Sequence, residues 1–165
     1  MKNVNYECSL TPELFRQLTE DITQKITLDV AQIDLRLSDH QPNPDDDLCT
    51  VYTSVAGGYK TRLVMCAQRK FLHRLTENMM GEPSSDPDDL EEYTKEFFNV
   101  LCGRLVGEIF RTTHLGASFH PPLFSEGNYD TLFEQGDRPE EVIYFTSRES
   151  EDMAMAHDIT NTAYT

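Results

Sequence analysis

Hydrophobic residues recur along the chain first with the period of a helix and then with that of a strand. Apolar residues stand four positions apart from Leu14 to Ile26, which predicts a core-facing helix that runs to about Lys25. The segment Thr11-Pro12-Glu13 can open this helix, because threonine caps, proline suits the first helical position and glutamate favours the positive helix end. Residues 33–37 then alternate between apolar and charged side chains, which indicates a half-buried strand.

A β-hairpin is predicted from two segments rich in β-forming residues, 48–55 and 59–66. They flank Gly57-Gly58, and glycines supply the positive φ angles that tight hairpin turns need. The polar stretch 41–47 precedes the hairpin and contains two prolines and three aspartates, which is typical of a loop.

Two helices are predicted after the hairpin. The first runs from about Gln68 to Met80, and Gly81 ends it as a C-terminal cap. The second runs from Pro87 to about Thr112, with Asp86 as the candidate N-cap, because proline fits the first turn and the aspartates that follow favour the positive helix end.

The C-terminal part of the chain is predicted to be extended. A strand around 117–120 ends at two prolines, and residues 123–140 are interpreted as irregular, with a short strand placed near 131–133. Segments 141–147 and 152–157 are interpreted as a closing antiparallel pair that turns near 149–150. The order of elements predicts one domain over residues 1–165 with an α/β fold of the α+β type, in which a largely antiparallel β-sheet packs against long helices.

Composition narrows the classes of function. The formal net charge of −15 repels nucleic acid and anionic lipid, so we expect neither as a partner. Because the chain shows no apolar stretch of membrane-spanning length and its first ten residues lack an apolar signal core, we expect a cytoplasmic protein. Four cysteines occur without a C-x-x-C pair, which disfavours a zinc site and indicates reduced, mostly buried thiols. They are Cys8, Cys49, Cys66 and Cys102.

The long helix predicted from Pro87 has an apolar arc and a polar arc on opposite sides. The apolar arc comprises Leu90, Tyr93, Phe97, Leu101 and Leu105. Spacings of three and four place Glu92, Glu96, Asn99 and Gly103 together on the opposite arc. A carboxylate and a carboxamide are therefore expected to project side by side into solvent.

Two glycines inside this helix need an explanation, because each costs about 1 kcal/mol relative to alanine. Close packing against another backbone is one explanation, and clearance for a docking protein is the other. We favour packing for Gly107, which lies nearer the apolar side, whereas for Gly103 both explanations stay open.

The motif Glu96-x-x-Asn99, followed by Pro122 after 22 residues, resembles the signature of the chemotaxis phosphatase family that includes CheX, CheC and FliY. Met79-Met80-Gly81 before the helix and the glycines at positions 103 and 127 are also similar to the family. Glu92 stands where the family usually has aspartate or serine. No second E-x-x-N occurs at a comparable position, so the chain is closest to the single-site CheX branch, whose members typically form homodimers through a sheet edge.

The resemblance implies a phosphatase that removes the phosphoryl group from the aspartyl phosphate of a CheY-like response regulator. Asn99 would orient the attacking water, and Glu96 would pair with the regulator's active-site lysine. Glu92, Gly103 and Pro122 would contribute to partner binding. Mg²⁺ would belong to the phosphorylated partner, and this chain would hold neither metal nor cofactor.

Two other interpretations remain at this point. The chain could be a non-catalytic module of the same fold that docks a regulator or a motility component, and Glu92 in place of aspartate or serine leaves room for that. It could also be a purely structural dimer, although the presence of both Glu96 and Asn99 argues against this. Without the family context, exposed glutamates on a helix are usually ordinary solvated side chains.

Overall fold

Three helices and seven strands make up the part of the chain that the computed structural model describes, residues 10–128 and 141–159. The helices are α1 (Pro12–Ala31), α2 (Arg69–Met80) and α3 (Pro87–Thr113). The strands are β1 (Leu35–Leu37), β2 (Leu48–Gly57), β3 (Thr61–Gln68), β4 (Ala117–Phe119), β5 (Leu123–Glu126), β6 (Glu141–Ser147) and β7 (Asp152–His157).

The strands form one antiparallel sheet in the order β1-β6-β7-β3-β2, and β4 and β5 both pair along the outer side of β2. The predicted hairpin is β2–β3, with Val51 opposite Met65, and the predicted closing pair is β6–β7. Antiparallel pairing of a sheet against helices confirms the predicted α+β architecture.

The sheet buries one face under the three helices, because apolar side chains of the central strands alternate toward that side. Val51 and Val55 of β2, together with Leu63 and Met65 of β3, belong to the main core on this face. A second, smaller cluster includes Val64 and Ala156 from the intervening positions of β3 and β7. The helices therefore lie on the core side, and α3 presents its outer surface away from the sheet.

Helix α1 begins where the sequence predicts and ends later. The Thr11 hydroxyl accepts a hydrogen bond from the amide of Leu14 at 3.1 Å, as a capping threonine should. The helix continues beyond the predicted end near Lys25 to Ala31, because its last turns bury Thr27 and Ala31 in the core. Tertiary burial outweighs the weak helix propensity of the β-branched residues there.

The first strand of the hairpin is longer than predicted. Strand β2 continues past residue 55 and runs through Gly57, whose φ is +150°. A Cβ on this glycine would stand 2.6 Å from the carbonyl oxygen of Gly116, and the amide of Gly58 donates to the same oxygen at 2.8 Å. Glycine is therefore needed at position 57 for two reasons: its φ is positive, and the chain that enters β4 passes close to it.

The segment after Pro122 is a strand rather than the irregular stretch expected from its sequence. β5 pairs with β2 over Cys49–Tyr52, and the Thr50 hydroxyl donates to the carbonyl oxygen of Gly127 at 2.8 Å. Among residues 10–128 and 141–159, four strands thus follow α3, and β5 is the one at a position that the sequence did not predict as a strand. The strand predicted near 131–133 lies outside the described residues.

Candidate functional site

Helix α3 is held rigidly by its N-terminal cap and its buried face. The Asp86 carboxylate accepts a hydrogen bond from the amide of Asp88 at 2.9 Å, and Pro87 occupies the first turn, as predicted. The side chains that face the core are Leu90, Thr94, Phe97, Phe98, Leu101, Cys102, Leu105, Ile109 and Thr113. Tyr93, which the sequence pattern places on the apolar arc, is only half-buried, because the buried face is centred nearer Leu101.

The opposite face of α3 carries the residues that the motif singles out. Glu92, Glu96, Asn99 and Gly103 are all exposed, so the predicted projection of a carboxylate and an amide from one helix face is confirmed. Within the described part of the chain, no hydrogen bond or ion pair engages the side chains of Glu96 and Asn99. Both side chains are therefore available to a partner.

The two glycines of α3 lie in open surroundings. A Cβ on Gly107 would have no neighbour within 4 Å among the described atoms. The prediction that Gly107 packs closely against another backbone is therefore wrong for the described part of the chain. A Cβ on Gly103 would meet only the Phe119 ring, with Cζ at 3.9 Å, which is an ordinary van der Waals contact. Neither glycine is needed to admit another backbone from the part of the chain that the structure describes.

Pro122 lies between β4 and β5, the two strands that follow α3 and pack against it. The segment is anchored to β2 by two hydrogen bonds: the Thr53 hydroxyl donates to the carbonyl oxygen of His120 at 2.6 Å, and the His120 amide donates to that of Ser54 at 3.2 Å. Pro122 itself is half-buried. Pro122, the proline of the motif, thus lies in the short connection between two strands that contact α3.

Phe110 is an exposed residue of α3 that the sequence analysis did not single out. It follows Gly103 and Gly107 at spacings of seven and three, which places it on the same helix face, and its side chain is 53% exposed. The spacing alone could have identified it, but an apolar residue on a polar arc is easily assigned to the core.

The buried thiols carry no evident chemistry. Cys49, Cys66 and Cys102 are buried, as predicted, whereas Cys8 lies outside the described residues. Burial raises the pKa of the Cys49 thiol to about 11 and raises the pKa of Cys102 further. These thiols stay protonated at neutral pH and are poor nucleophiles.

A cavity of about 740 Å³ lies at the N-terminal ends of α2 and α3, away from Asn99. Several of its polar side chains already have partners within the protein. Arg69 donates to Asp47 at 2.8 Å and to Glu126 at 3.1 Å, and Gln68 donates to Asp46 at 2.6 Å. Among residues 10–128 and 141–159, no group of three or more His, Cys, Asp or Glu side chains is arranged to hold a metal ion.

The comparison with protein families decides what the chain is related to. Residues 49–146, more than half of the sequence, match the profile of the family described as chemotaxis phosphatase CheX. The chain belongs to the CheX family. The matched region contains all of α3 together with Pro122, so it includes the whole motif of this CheX-family protein.

Solved structures show the same fold. The protein is similar to CheX of Desulfovibrio desulfuricans, with a TM-score of 0.68, 11% identity, and coverage of 88% of this chain and 99% of the other. It is similar to CheX in the CheX–CheY–BeF₃–Mg²⁺ complex of Borrelia burgdorferi, with a TM-score of 0.69, 13% identity, and coverage of 89% and 98%. It is also similar to FliY of Thermotoga maritima, with a TM-score of 0.58, 14% identity, and coverage of 93% of this chain and 92% of the other. No curated protein matches the sequence significantly.

These likenesses confirm the family resemblance and the CheX-like α+β fold that the sequence predicts. The roles of Glu96, Asn99, Glu92, Gly103 and Pro122 stay predictions, since fold likeness at such low identity does not test them. None of the described helices combines the length and the apolar character that crossing a membrane requires.

Proposed function

We propose that this chain is a phosphatase that hydrolyses the aspartyl phosphate of a CheY-like response regulator in the cytoplasm. The observation that carries the proposal is the exposure of Glu96 and Asn99, one turn apart, on a capped 27-residue helix of a CheX-family domain. The Borrelia relative was crystallised with CheY, BeF₃ and Mg²⁺, which supports a regulator of that kind as the partner.

Asn99 orients the attacking water. Its amide offers a donor and an acceptor to one water molecule and brings no negative charge to the phosphoryl group, which a carboxylate would do. The water oxygen forms a bond to phosphorus in line with the aspartyl P–O bond, which breaks and leaves a free carboxylate and inorganic phosphate. Positioning is the main contribution, as with the water-orienting glutamine of GTPases. Mg²⁺ belongs to the regulator.

Glu96 fixes the pose of the helix on the regulator by pairing with its active-site lysine, as the family resemblance implies. The Glu96 carboxylate leaves the helix one turn before Asn99, so an ion pair there sets how far the amide reaches into the partner's site. Glu92 extends the acidic contact, Gly103 gives clearance, and Pro122 shapes the adjoining surface.

We also propose that two copies pair through a sheet edge. Within the described residues, β1 pairs only with β6, so the backbone along its other edge has no strand partner there. An edge strand of this kind offers unpaired amides and carbonyls to a second chain. The elution volume on a calibrated sizing column tests this, and a monomer at micromolar concentration would contradict it.

The catalytic proposal is tested by following phosphate release from the phosphorylated cognate regulator. We expect the wild type to accelerate the release, Asn99→Ala to lose nearly all acceleration while still binding, and Glu96→Ala to weaken binding. Asp29→Ala, which removes an exposed carboxylate from α1, is the matched control and should behave as the wild type. Equal rates for the wild type and Asn99→Ala would remove the proposed role of Asn99.

The second candidate function is a docking module without catalysis. Glu92, in the position where the family usually has aspartate or serine, favours it. Tight binding of the phosphorylated regulator with no acceleration of phosphate loss would establish this alternative.

A further inference from the structure

The exposed face of α3 continues past Asn99 to an apolar end. Phe110 follows Asn99 by eleven residues, which corresponds to about 16 Å along the helix axis. At about 100° per residue, Phe110 lies within about 20° of Asn99 and Gly103 around the helix. The docking strip, defined as Glu92, Glu96, Asn99, Gly103 and Phe110, is thus one continuous surface.

The Phe110 ring is only partly covered by this domain. It meets the His114 ring edge-on, with centroids 6.1 Å apart, and its Cδ2 lies 3.8 Å from where a Cβ of Gly116 would stand. Its remaining surface, 53% of the side chain, faces solvent. Covering a large apolar side chain that is exposed at the end of a polar strip lowers the free energy, so a partner that buries it binds more tightly.

The two ends of the docking strip differ in chemistry. Glu92 and Glu96 make its N-terminal half acidic, whereas the stretch between Asn99 and the phenylalanine holds Gly103 and the half-buried Val106 and carries no charge on this face. A partner that places a basic group at the acidic end can therefore lie along the helix and reach Phe110. The acidic end thus fixes the orientation of the partner on the strip.

We propose that Phe110 is a second contact for the phosphorylated response regulator, receiving an apolar side chain of the regulator that lies about 16 Å from its phosphorylation site. This inference rests on the proposed function, because it takes the regulator as the occupant of the docking strip. Phe110 does not touch the phosphoryl group. It contributes affinity and takes no part in the chemical step.

The test compares Phe110→Ala with Leu28→Ala. Leu28 lies on α1, outside the docking strip, and its side chain is 51% exposed, so it is a matched apolar control. The probe is the cognate CheY-type regulator loaded with beryllofluoride and Mg²⁺ for binding, and with phosphate for turnover. We expect Phe110→Ala to raise Kd and KM about tenfold and to leave kcat within about twofold, as for a central apolar contact. Leu28→Ala should match the wild type.

The outcomes separate this inference from the proposed function. Wild-type Kd and KM in Phe110→Ala would overturn the inference, even if Asn99→Ala had lost catalysis. Weakened binding in Phe110→Ala would support it even if Asn99→Ala kept its activity, which would remove only the catalytic role of Asn99. A change in dimerisation rather than in regulator binding would assign Phe110 to a second copy and overturn the inference. Thermal melting checks that each variant is folded.

A second variant tests the path between Asn99 and Phe110. Gly107→Leu adds a side chain one turn before Phe110, where a Cβ would have no neighbour within 4 Å among the described atoms. The domain itself should tolerate leucine there, and a partner lying along the strip should not. We expect Gly107→Leu to weaken regulator binding about tenfold with no loss of melting temperature. Unchanged binding would contradict contact between the partner and this stretch.

Discussion

Phe119 of β4 lies beside Gly103 of α3, so that a Cβ on the glycine would stand 3.9 Å from Cζ of the ring. That separation is an ordinary contact and requires no movement of either element. A Cβ on Gly107 would meet no atom within 4 Å among the described residues. Helix α3 thus keeps two glycines at positions where the described atoms leave room for a side chain.

Gly107→Ala should stabilise the protein. Alanine removes the backbone entropy cost of a helical glycine, and we expect the free energy of unfolding to rise by about 1 kcal/mol. Gly103→Ala should give a similar gain, because its methyl group only touches Phe119. Urea denaturation of both variants measures this, and a lower unfolding midpoint would mean that α3 packs more closely than the structure shows.

The sequence predicts features set by neighbours in the chain better than features set by distant contacts. The caps at Thr11, Gly81 and Asp86 are local, and each is found where predicted. β5 depends on the outer side of β2, more than 70 residues earlier, and no local pattern shows it. Phe110 was missed because periodicity assigns apolar residues to the core and cannot show a surface reserved for another protein.

Arg74 of α2 holds a buried carboxylate at the turn between β6 and β7, and Arg74→Ala should destabilise the protein. Nε of Arg74 donates to Glu151 at 3.0 Å, and the Ser147 hydroxyl donates to the same carboxylate at 2.8 Å. Glu151 is 5% exposed, so removing its partner leaves a buried charge uncompensated. We expect a loss of roughly 3 kcal/mol in the free energy of unfolding.

Arg111→Ala is the control for this prediction, because Arg111 forms its ion pair with Glu108 at the surface, at 2.7 Å. Exposed pairs of this kind contribute about 0–1 kcal/mol, so the variant should unfold almost as the wild type does. Similar losses for Arg74→Ala and Arg111→Ala, measured by chemical denaturation, would show that burial of Glu151 does not set the effect.

His157 should make the stability fall in mild acid. The residue is 1% exposed, and burial lowers the pKa of its imidazole from the ordinary 6.5, although Glu141 and Asp158 oppose this and Arg16 adds to it. Below about pH 6.5 the unfolded chain therefore binds a proton that the folded chain resists. Stability is highest above that pH and decreases as the pH falls, by at most about 1.4 kcal/mol per pH unit from this residue.

His157→Gln isolates this contribution, since glutamine does not titrate. Unfolding free energies at several pH values between 5.5 and 7.5 should show a shallower slope for the variant than for the wild type, whatever its stability at pH 7.5. Parallel slopes for the two proteins would mean that His157 does not take part in the acid response.

Glu92 should act on the rate of encounter with the regulator and leave the chemical step unchanged. Glu92 and Glu96 make one end of the docking strip acidic, and an acidic patch speeds association with a basic partner at low salt. We expect Glu92→Gln to lower the association rate about threefold at low ionic strength and kcat by less than twofold. Above 0.15 M salt, where charges about 8 Å apart are largely screened, the difference should shrink.

Glu91→Gln is the matched control, because it removes the same charge from the adjacent residue, which is half-buried on the side of the helix. If only the net charge of the protein matters, both variants should lower the association rate equally. If the partner lies along the docking strip, Glu92→Gln should lower the association rate more than Glu91→Gln. Stopped-flow association with the beryllofluoride-loaded regulator distinguishes the two. A drop in kcat for Glu92→Gln would instead show that this carboxylate takes part in the chemical step and would contradict a role confined to encounter.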